Sequence, residues 1–330
     1  MRALQLFLAF SVVASIALCK PALAEQTSDS ADGFKLRGYS SAGVDLHPGG
    51  KADGSLNEVS LMLSWEGESR FRFFSELELQ HPLVWKSGEG FSKQNSYIDL
   101  QRLYLDYNLS DKLNIRAGHF LTPAGRWNLI HAAPLVWTST RPLATSRLFP
   151  LFLNGAMFYG ATTVNDEAFE YSMFAETLKD QDHDEYEIEF NHTRGMRFVM
   201  TGKTSYGLTL MEFTETEGLN RQFQMLGLDF MTQRGGWEFS GEAFQRYYTS
   251  GGDGGNGGYL QAVAPLGNNW YGIGRLESYK RPAEGSSERW LLGTAWRYAP
   301  NRIIKMEYVG GDEERPESPK GFLASFAILF

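Results

Sequence analysis

Residues 321–330 read GFLASFAILF, and every second position of this stretch is apolar: Phe322, Ala324, Phe326, Ile328 and Phe330. Alternation with a period of two is typical of a β-strand whose two faces meet different surroundings. The stretch therefore predicts a strand with one continuous apolar face, and we expect that face to contact lipid. A buried closing strand of a soluble barrel is the alternative.

The same alternation recurs along the chain, whereas helical periodicity is nearly absent. It is clear in the run from Phe71 to Gln80, where aromatic and aliphatic residues alternate with arginine, serine and glutamate. The sequence predicts sixteen such segments, at 34–44, 57–65, 70–80, 97–109, 113–119, 153–164, 168–177, 194–202, 206–214, 221–232, 237–248, 257–264, 270–279, 288–298, 302–309 and 321–330.

The connections between these segments alternate between short turns and long loops. The long ones are 45–56, 81–96, 120–152, 178–193, 215–220, 249–256, 280–287 and 310–320. Long loops at one end and tight turns at the other are typical of barrels that span an outer membrane. Closure of the barrel satisfies the backbone groups that lipid would leave unpaired. The pattern predicts an all-β fold, a closed antiparallel up-and-down transmembrane β-barrel of about 16 strands, with 14 or 18 as the alternatives.

The first residues have the order of a secretory signal peptide. Arg2 precedes an apolar run at 6–19 and the small-residue motif at 22–24, so we expect cleavage before Glu25. A transmembrane anchor would need about 20 apolar residues, and this run is shorter. A lipoprotein would have a small residue before Cys19, where leucine stands. The predicted organisation is a cleaved signal peptide at 1–24, a short segment at 25–33 and the barrel at 34–330.

Composition excludes several classes of protein. The formal charge of −8 argues against nucleic acid as a partner, because phosphates need a dominant basic surface. A mean hydropathy of −0.32 argues against a bundle of membrane-spanning helices. The single cysteine, Cys19, lies in the segment that we expect to be removed, so disulfides and a thiol nucleophile are not expected. No cofactor is predicted.

One part of the sequence resembles a known family. It consists of the passage from Arg102 to Tyr107, the turn at 110–112 and the passage from Leu113 to Pro123. The sequence resembles Gram-negative outer-membrane porins and is similar to porins related to the phosphate-selective type. The resemblance implies an outer-membrane location, a homotrimer and a third external loop folded into the lumen. The end at Phe330 resembles the signature that such barrels present to the barrel-assembly machinery. The chain departs from the phosphate-selective members because its inward positions are mixed in sign.

If the apolar positions face lipid, the polar positions of each strand line the pore. The predicted lining residues are Arg37, Arg72, Glu76, Glu78, Arg102, Asp106, Arg116, Arg197, Glu238 and Arg246, and the same parity places Glu170, Glu242, Arg275, Glu277, Lys305 and Glu307 inward. The alternative is that many of these charges pair with cross-strand neighbours and only solvate the wall.

The loop at 120–152 is the longest connection and is the candidate constriction. Loops of this length without regular structure are usually functional. It contains no Asp or Glu. Its four basic or potentially basic residues are Arg126, His131, Arg141 and Arg147. This predicts an electropositive constriction with weak selectivity for anions. Alternatively, these residues pin the loop to Glu76 and Asp106, which would neutralise the field.

Two other segments are distinctive in composition. The loop around 180–189 is acidic and is interpreted as a solvated external loop, with divalent cations that bridge lipopolysaccharide as the alternative. The glycine-rich stretch at 251–258 lacks calcium-binding repeats and is predicted to be a flexible loop.

Together these features predict a porin, not an enzyme: a water-filled channel for passive diffusion of small hydrophilic solutes, with a preference for anions. The expected partners are outer-membrane lipid and lipopolysaccharide. The first alternative is a non-conducting barrel, an adhesin or structural protein plugged by 120–152. An outer-membrane hydrolase is the second, but none of the six histidines has an assignable partner and no G-x-S-x-G motif occurs.

Overall fold

The computed structural model describes residues 33–46, 52–93, 96–130, 132–178, 188–216, 220–282, 285–312 and 319–330. The predicted signal peptide, most of the segment at 25–33 and most of the acidic loop lie outside the described residues. Within these ranges, no helix is both long enough and apolar enough to cross a membrane.

Strands account for most of the described chain. They are β1 (Phe34–Leu46), β2 (Ala52–Glu66), β3 (Phe71–Lys86), β4 (Gly90–Ser92), β5 (Tyr97–Ser110), β6 (Leu113–Leu121), β7 (Phe152–Val164), β8 (Glu167–Leu178), β9 (Phe190–Thr201), β10 (Thr204–Glu215), β11 (Arg221–Arg234), β12 (Trp237–Tyr248), β13 (Asp253–Gly267), β14 (Trp270–Arg281), β15 (Gly285–Ala299), β16 (Arg302–Gly311) and β17 (Gly321–Leu329).

Sixteen of these strands form one closed antiparallel barrel. Each pairs with the next along the chain, β3 pairs directly with β5, and β1 pairs with both β2 and β17. The short strand β4 pairs with the end of β3 and lies in a long connection. The predicted fold class is confirmed, and each of the sixteen predicted segments coincides with one wall strand. The sequence analysis missed β4.

The two faces of the wall differ as the alternation predicts. Outward positions carry exposed leucines, such as Leu228, Leu260 and Leu276. Inward positions carry buried charged residues, such as Glu76 and Arg275. An arginine or lysine on the lipid face near the membrane centre would cost about 2–4 kcal/mol, so lipid enforces this segregation.

The seam between β1 and β17 is fixed by Gly38 and Phe330. The N–H of Gly38 donates to the carbonyl of Phe330 at 2.7 Å, and the N–H of Phe330 donates to the carbonyl of Gly38 at 2.8 Å. The Phe330 ring occupies the space above Gly38, because a Cβ added there would lie 2.5 Å from the ring atom Cε2. A glycine is therefore required opposite this aromatic residue.

One predicted loop is a strand. The glycine-rich stretch at 251–258 was predicted to be flexible, but β13 begins at Asp253 and pairs with β12 and β14 across most of it. The prediction was wrong because this wall faces close neighbours inside the barrel. A Cβ on Gly257 would lie 3.1 Å from Ala144 and from Leu148. Glycine at this position leaves room for residues that fill the lumen.

Candidate pore site

The inward wall carries arginine–carboxylate ion pairs. Arg102 and Glu76 are opposite each other on β5 and β3, with Nε 2.5 Å from Oε2. Arg116 holds both oxygens of Asp106, at 2.8 and 2.9 Å, from the facing position on β6. The other inward pairs are Arg197–Asp229, Arg246–Glu215, Arg281–Glu215 and Arg275–Glu277. These pairs agree with the interpretation in which wall charges neutralise one another.

The remaining predicted lining residues differ in their surroundings. Glu78 is buried and accepts a hydrogen bond from a tyrosine of β1 at 2.7 Å. Glu238 accepts a hydrogen bond from the indole N–H of Trp137 at 3.0 Å. Arg37 and Arg72 are exposed and lie on the parts of β1 and β3 nearest to the short turn at 67–70. Glu78 and Glu238 thus meet protein groups, whereas Arg37 and Arg72 are exposed, with Arg72 Nε 3.9 Å from Oε1 of the exposed Glu66.

The connection between β6 and β7, residues 122–151, is called loop L3. Its first anchor is Glu242 of β12, which accepts the backbone N–H groups of Arg126 at 3.0 Å and Trp127 at 2.6 Å. The hydroxyl of Tyr259 donates to the same carboxylate at 2.8 Å. The turn requires Gly125, which has a φ of +65° and whose added Cβ would collide with Glu242. L3 is therefore tied to the wall opposite its origin.

Two more wall carboxylates hold the middle of L3. Glu307 of β16 accepts the backbone N–H groups of Ser139 and Thr140, each at 2.9 Å. Glu277 of β14 accepts the N–H of Leu143 at 2.9 Å. All three anchors bind main-chain donors, so the course of L3 is fixed by the wall.

Wall cations bind the acceptors of L3. Arg275 donates to the hydroxyl of Thr138 at 2.8 Å and to the carbonyl of Thr140 at 3.0 Å. Lys305 donates to the carbonyls of Ala133 at 2.7 Å and Thr138 at 3.0 Å. The wall thus supplies both signs of charge to the loop, which explains how L3 is held without an Asp or Glu of its own.

The basic residues of L3 have separate environments. The guanidinium of Arg141 donates to Asn128 Oδ1 at 2.7 Å and to the carbonyl of Thr145 at 2.9 Å, so it links two parts of the loop. Burial lowers the pKa of Arg141 to about 10, and the group remains charged at neutral pH. Arg147 is half-buried, and His131 lies outside the described residues.

L3 also packs an apolar core inside the barrel. Its contributions include Leu143, Leu148 and Phe149, which are at most 1% exposed. They lie in one cluster with inward residues of the wall: Leu153, Met157, Phe174, Met211, Phe213, Phe223, Met225, Phe244 and Tyr279. This cluster fills the side of the lumen along β7 to β14. The sequence analysis missed it, although these inward positions are apolar in the sequence.

A cavity of about 720 Å³ remains between L3 and the wall from β5 to β11. Its charged lining residues are Arg102, Arg116, Arg126, Glu170, Arg197 and Lys203. Leu129 and Ile130 of L3 line the same space. Within the described ranges, the Arg126 side chain makes no hydrogen bond or ion pair. Of the three predicted constriction residues that the structure describes, Arg126 is thus the one that lines this cavity.

The sequence and the structure were compared with those of known proteins. No family model matches the chain. An uncharacterized protein of Aquifex aeolicus is 31% identical over 109 residues, which cover 32% of this chain and 24% of that protein. The chain thus matches about a quarter of the relative's length.

Solved structures match the barrel over nearly its whole length. The anion-selective porin from Comamonas acidovorans is similar, with a TM-score of 0.60, 13% identity and coverage of 90% of this chain and 98% of that one. The chain has the fold of outer-membrane porins. The outer-membrane channel DcaP of Acinetobacter baumannii shares the porin fold, with a TM-score of 0.59, 9% identity and coverage of 93% and 99%. OmpT of Vibrio cholerae shares it too, with a TM-score of 0.61, 8% identity and coverage of 93% and 100%.

These neighbours are outer-membrane proteins. The apolar outward face of the barrel is the surface that such a membrane requires. The predicted resemblance to outer-membrane porins and the predicted location are therefore confirmed at the level of the fold.

Proposed function

We propose that the protein is a narrow outer-membrane channel through which small hydrophilic solutes diffuse, with a weak preference for anions. The observation that carries the proposal is the cavity between L3 and the wall, whose lining contains five basic residues and one carboxylate. A fixed excess of positive charge in a pore with low-dielectric walls raises the local concentration of anions.

The preference is weak because most of the lining charge is neutralised. Arg102, Arg116 and Arg197 are each paired with a carboxylate of the wall. Arg126 and Lys203 remain against Glu170. The excess is thus small, and Arg126 is the part of it that L3 contributes, with a guanidinium that has no partner in the described chain.

The Arg126→Glu variant is expected to lower the chloride-to-potassium permeability ratio roughly threefold or more, because it removes an unpaired positive charge from the cavity and adds a negative one. The backbone N–H that Glu242 accepts is unchanged by the substitution. The measurement is the reversal potential of the refolded full chain in planar bilayers under a KCl gradient.

The matched control is Arg234→Glu, which makes the same change of charge at an exposed outward position next to a short turn. We expect its reversal potential to equal that of the wild type. Equal permeability ratios in the two variants would contradict the proposed role of Arg126.

A second candidate function is a non-conducting barrel, an adhesin or structural protein. It is favoured by the apolar cluster that L3 forms inside the lumen. The two candidates are separated by conductance: a folded barrel that passes no current supports the second. No observation in the described residues favours the hydrolase.

We also propose that the barrel assembles as a homotrimer in contact with lipopolysaccharide. OmpT of Vibrio cholerae, which shares the fold, has been solved in a trimer form. Light scattering of the detergent-solubilised protein tests the assembly. Recognition of β17 and Phe330 by the barrel-assembly machinery stays a prediction.

A further inference from the structure

The cavity beside L3 is lined by both charged and apolar groups. The wall contributes Arg102, Arg116 and Arg197. L3 contributes Leu129 and Ile130, and further apolar lining comes from Leu121, Pro123, Met157 and Met231. A pore that served only small inorganic ions would gain nothing from this apolar surface.

Leu129 and Ile130 differ from the apolar residues of L3 that pack in the core. They are 44% and 37% exposed although they lie inside the barrel, whereas Leu143, Leu148 and Phe149 are completely buried. Apolar surface left in water is unfavourable, and contact with an apolar group of a solute would remove that cost. The anchoring of Trp127 by Glu242 holds the two side chains at the cavity.

Arg116 is a charged lining residue whose orientation is fixed by its neighbours. Asp106 occupies its Nε and Nη2, and the guanidinium lies 3.7 Å from the centre of the Tyr104 ring. The guanidinium also lies 5.2 Å from the centre of the Tyr159 ring, and Arg116 and Tyr159 both line the cavity. A flat guanidinium held in this way can donate to a carboxylate, and a charge-assisted hydrogen bond is stronger than a neutral one.

We infer that the channel selects organic anions that combine a carboxylate with a hydrocarbon part, such as hexanoate, over short anions such as acetate. The carboxylate lies near Arg116 and Arg126, and the hydrocarbon part contacts Leu129 and Ile130. This inference rests on the proposed channel function and names its substrate class.

The test compares hexanoate with acetate in the refolded full chain. Millimolar hexanoate is expected to reduce the chloride current of the wild type at least twofold, because the solute occupies the cavity, whereas acetate at the same concentration has little effect. In the Leu129→Ser/Ile130→Ser double variant, we expect the two anions to have equal effects. The Leu135→Ser variant is the control, because Leu135 is an exposed apolar residue of L3 that does not line the cavity.

Failure of the inference differs from failure of the proposed function. Chloride current with equal effects of hexanoate and acetate on the wild type overturns the inference and leaves the anion channel intact. Absence of current overturns the channel, and equilibrium dialysis with labelled hexanoate then tests the site directly. Binding that is lost in the double variant and kept in Leu135→Ser supports the site, and equal or absent binding in all three proteins overturns it.

Discussion

The Glu242→Ala/Glu307→Ala variant is expected to conduct roughly 2- to 5-fold more current than the wild-type protein, because L3 would leave the lumen of a barrel that is otherwise wide enough for an aqueous channel. The variant removes the acceptors of four backbone N–H groups of L3 and of the Tyr259 hydroxyl. An orphaned buried donor costs about 1–3 kcal/mol, so the inserted position of the loop loses much of its advantage. Single-channel conductance in KCl is the measurement.

Two controls separate anchoring from charge. Glu170→Ala removes a carboxylate from the cavity lining without touching an anchor of L3, and we expect its conductance to rise far less. Glu242→Gln keeps one acceptor oxygen and should fall between the wild type and the double variant. A double variant with wild-type conductance would show that the apolar cluster alone holds L3 in the lumen.

The Gly38→Val variant is expected to lose much of the stability of the closed barrel. The added Cβ would lie 2.5 Å from the Phe330 ring and 2.5 Å from the carbonyl oxygen of Ser60, so the seam between β1 and β17 would have to shift. Overpacking of this kind costs about 1–3 kcal/mol. We expect a lower midpoint of urea-induced unfolding and a smaller heat-modifiable fraction on electrophoresis.

The Gly274→Val variant is the matched control. Gly274 also faces outward from a wall strand, but a Cβ there would meet only Leu292, at 3.8 Å. Phe330→Ala removes the same packing without a collision and should destabilise the barrel as well. Equal unfolding midpoints for the two glycine variants would contradict the role assigned to the seam.

The barrel could be predicted from the sequence because lipid imposes a rule on every strand. Each wall strand alternates between apolar outward and polar or packed inward positions, and long and short connections alternate along the chain. The failure at 251–258 has a physical cause, because glycines such as Gly257 are placed by the need to accommodate Ala144 and Leu148 of L3. A contact between residues so distant in sequence is not visible in local composition.

The site could be predicted only in part. The sequence shows that L3 has no Asp or Glu, and its alternation places Glu242, Glu277 and Glu307 on the inward face of their strands. It does not show that these three carboxylates anchor L3, because their partners are backbone N–H groups more than a hundred positions away. The direction of a side chain in L3 depends on these anchors. Hence the sequence could not tell that Arg126 lines the cavity while Arg141 bonds within the loop.

Because L3 is anchored through main-chain atoms, the position of the loop does not depend on the side chains that line the cavity. The atoms that hold L3 belong to the backbone and to the wall, whereas the L3 side chains of Arg126, Leu129 and Ile130 line the cavity. Exchanging those side chains removes none of the three carboxylate anchors. A few substitutions in L3 can therefore change the chemistry of the cavity lining while the architecture of the barrel stays the same.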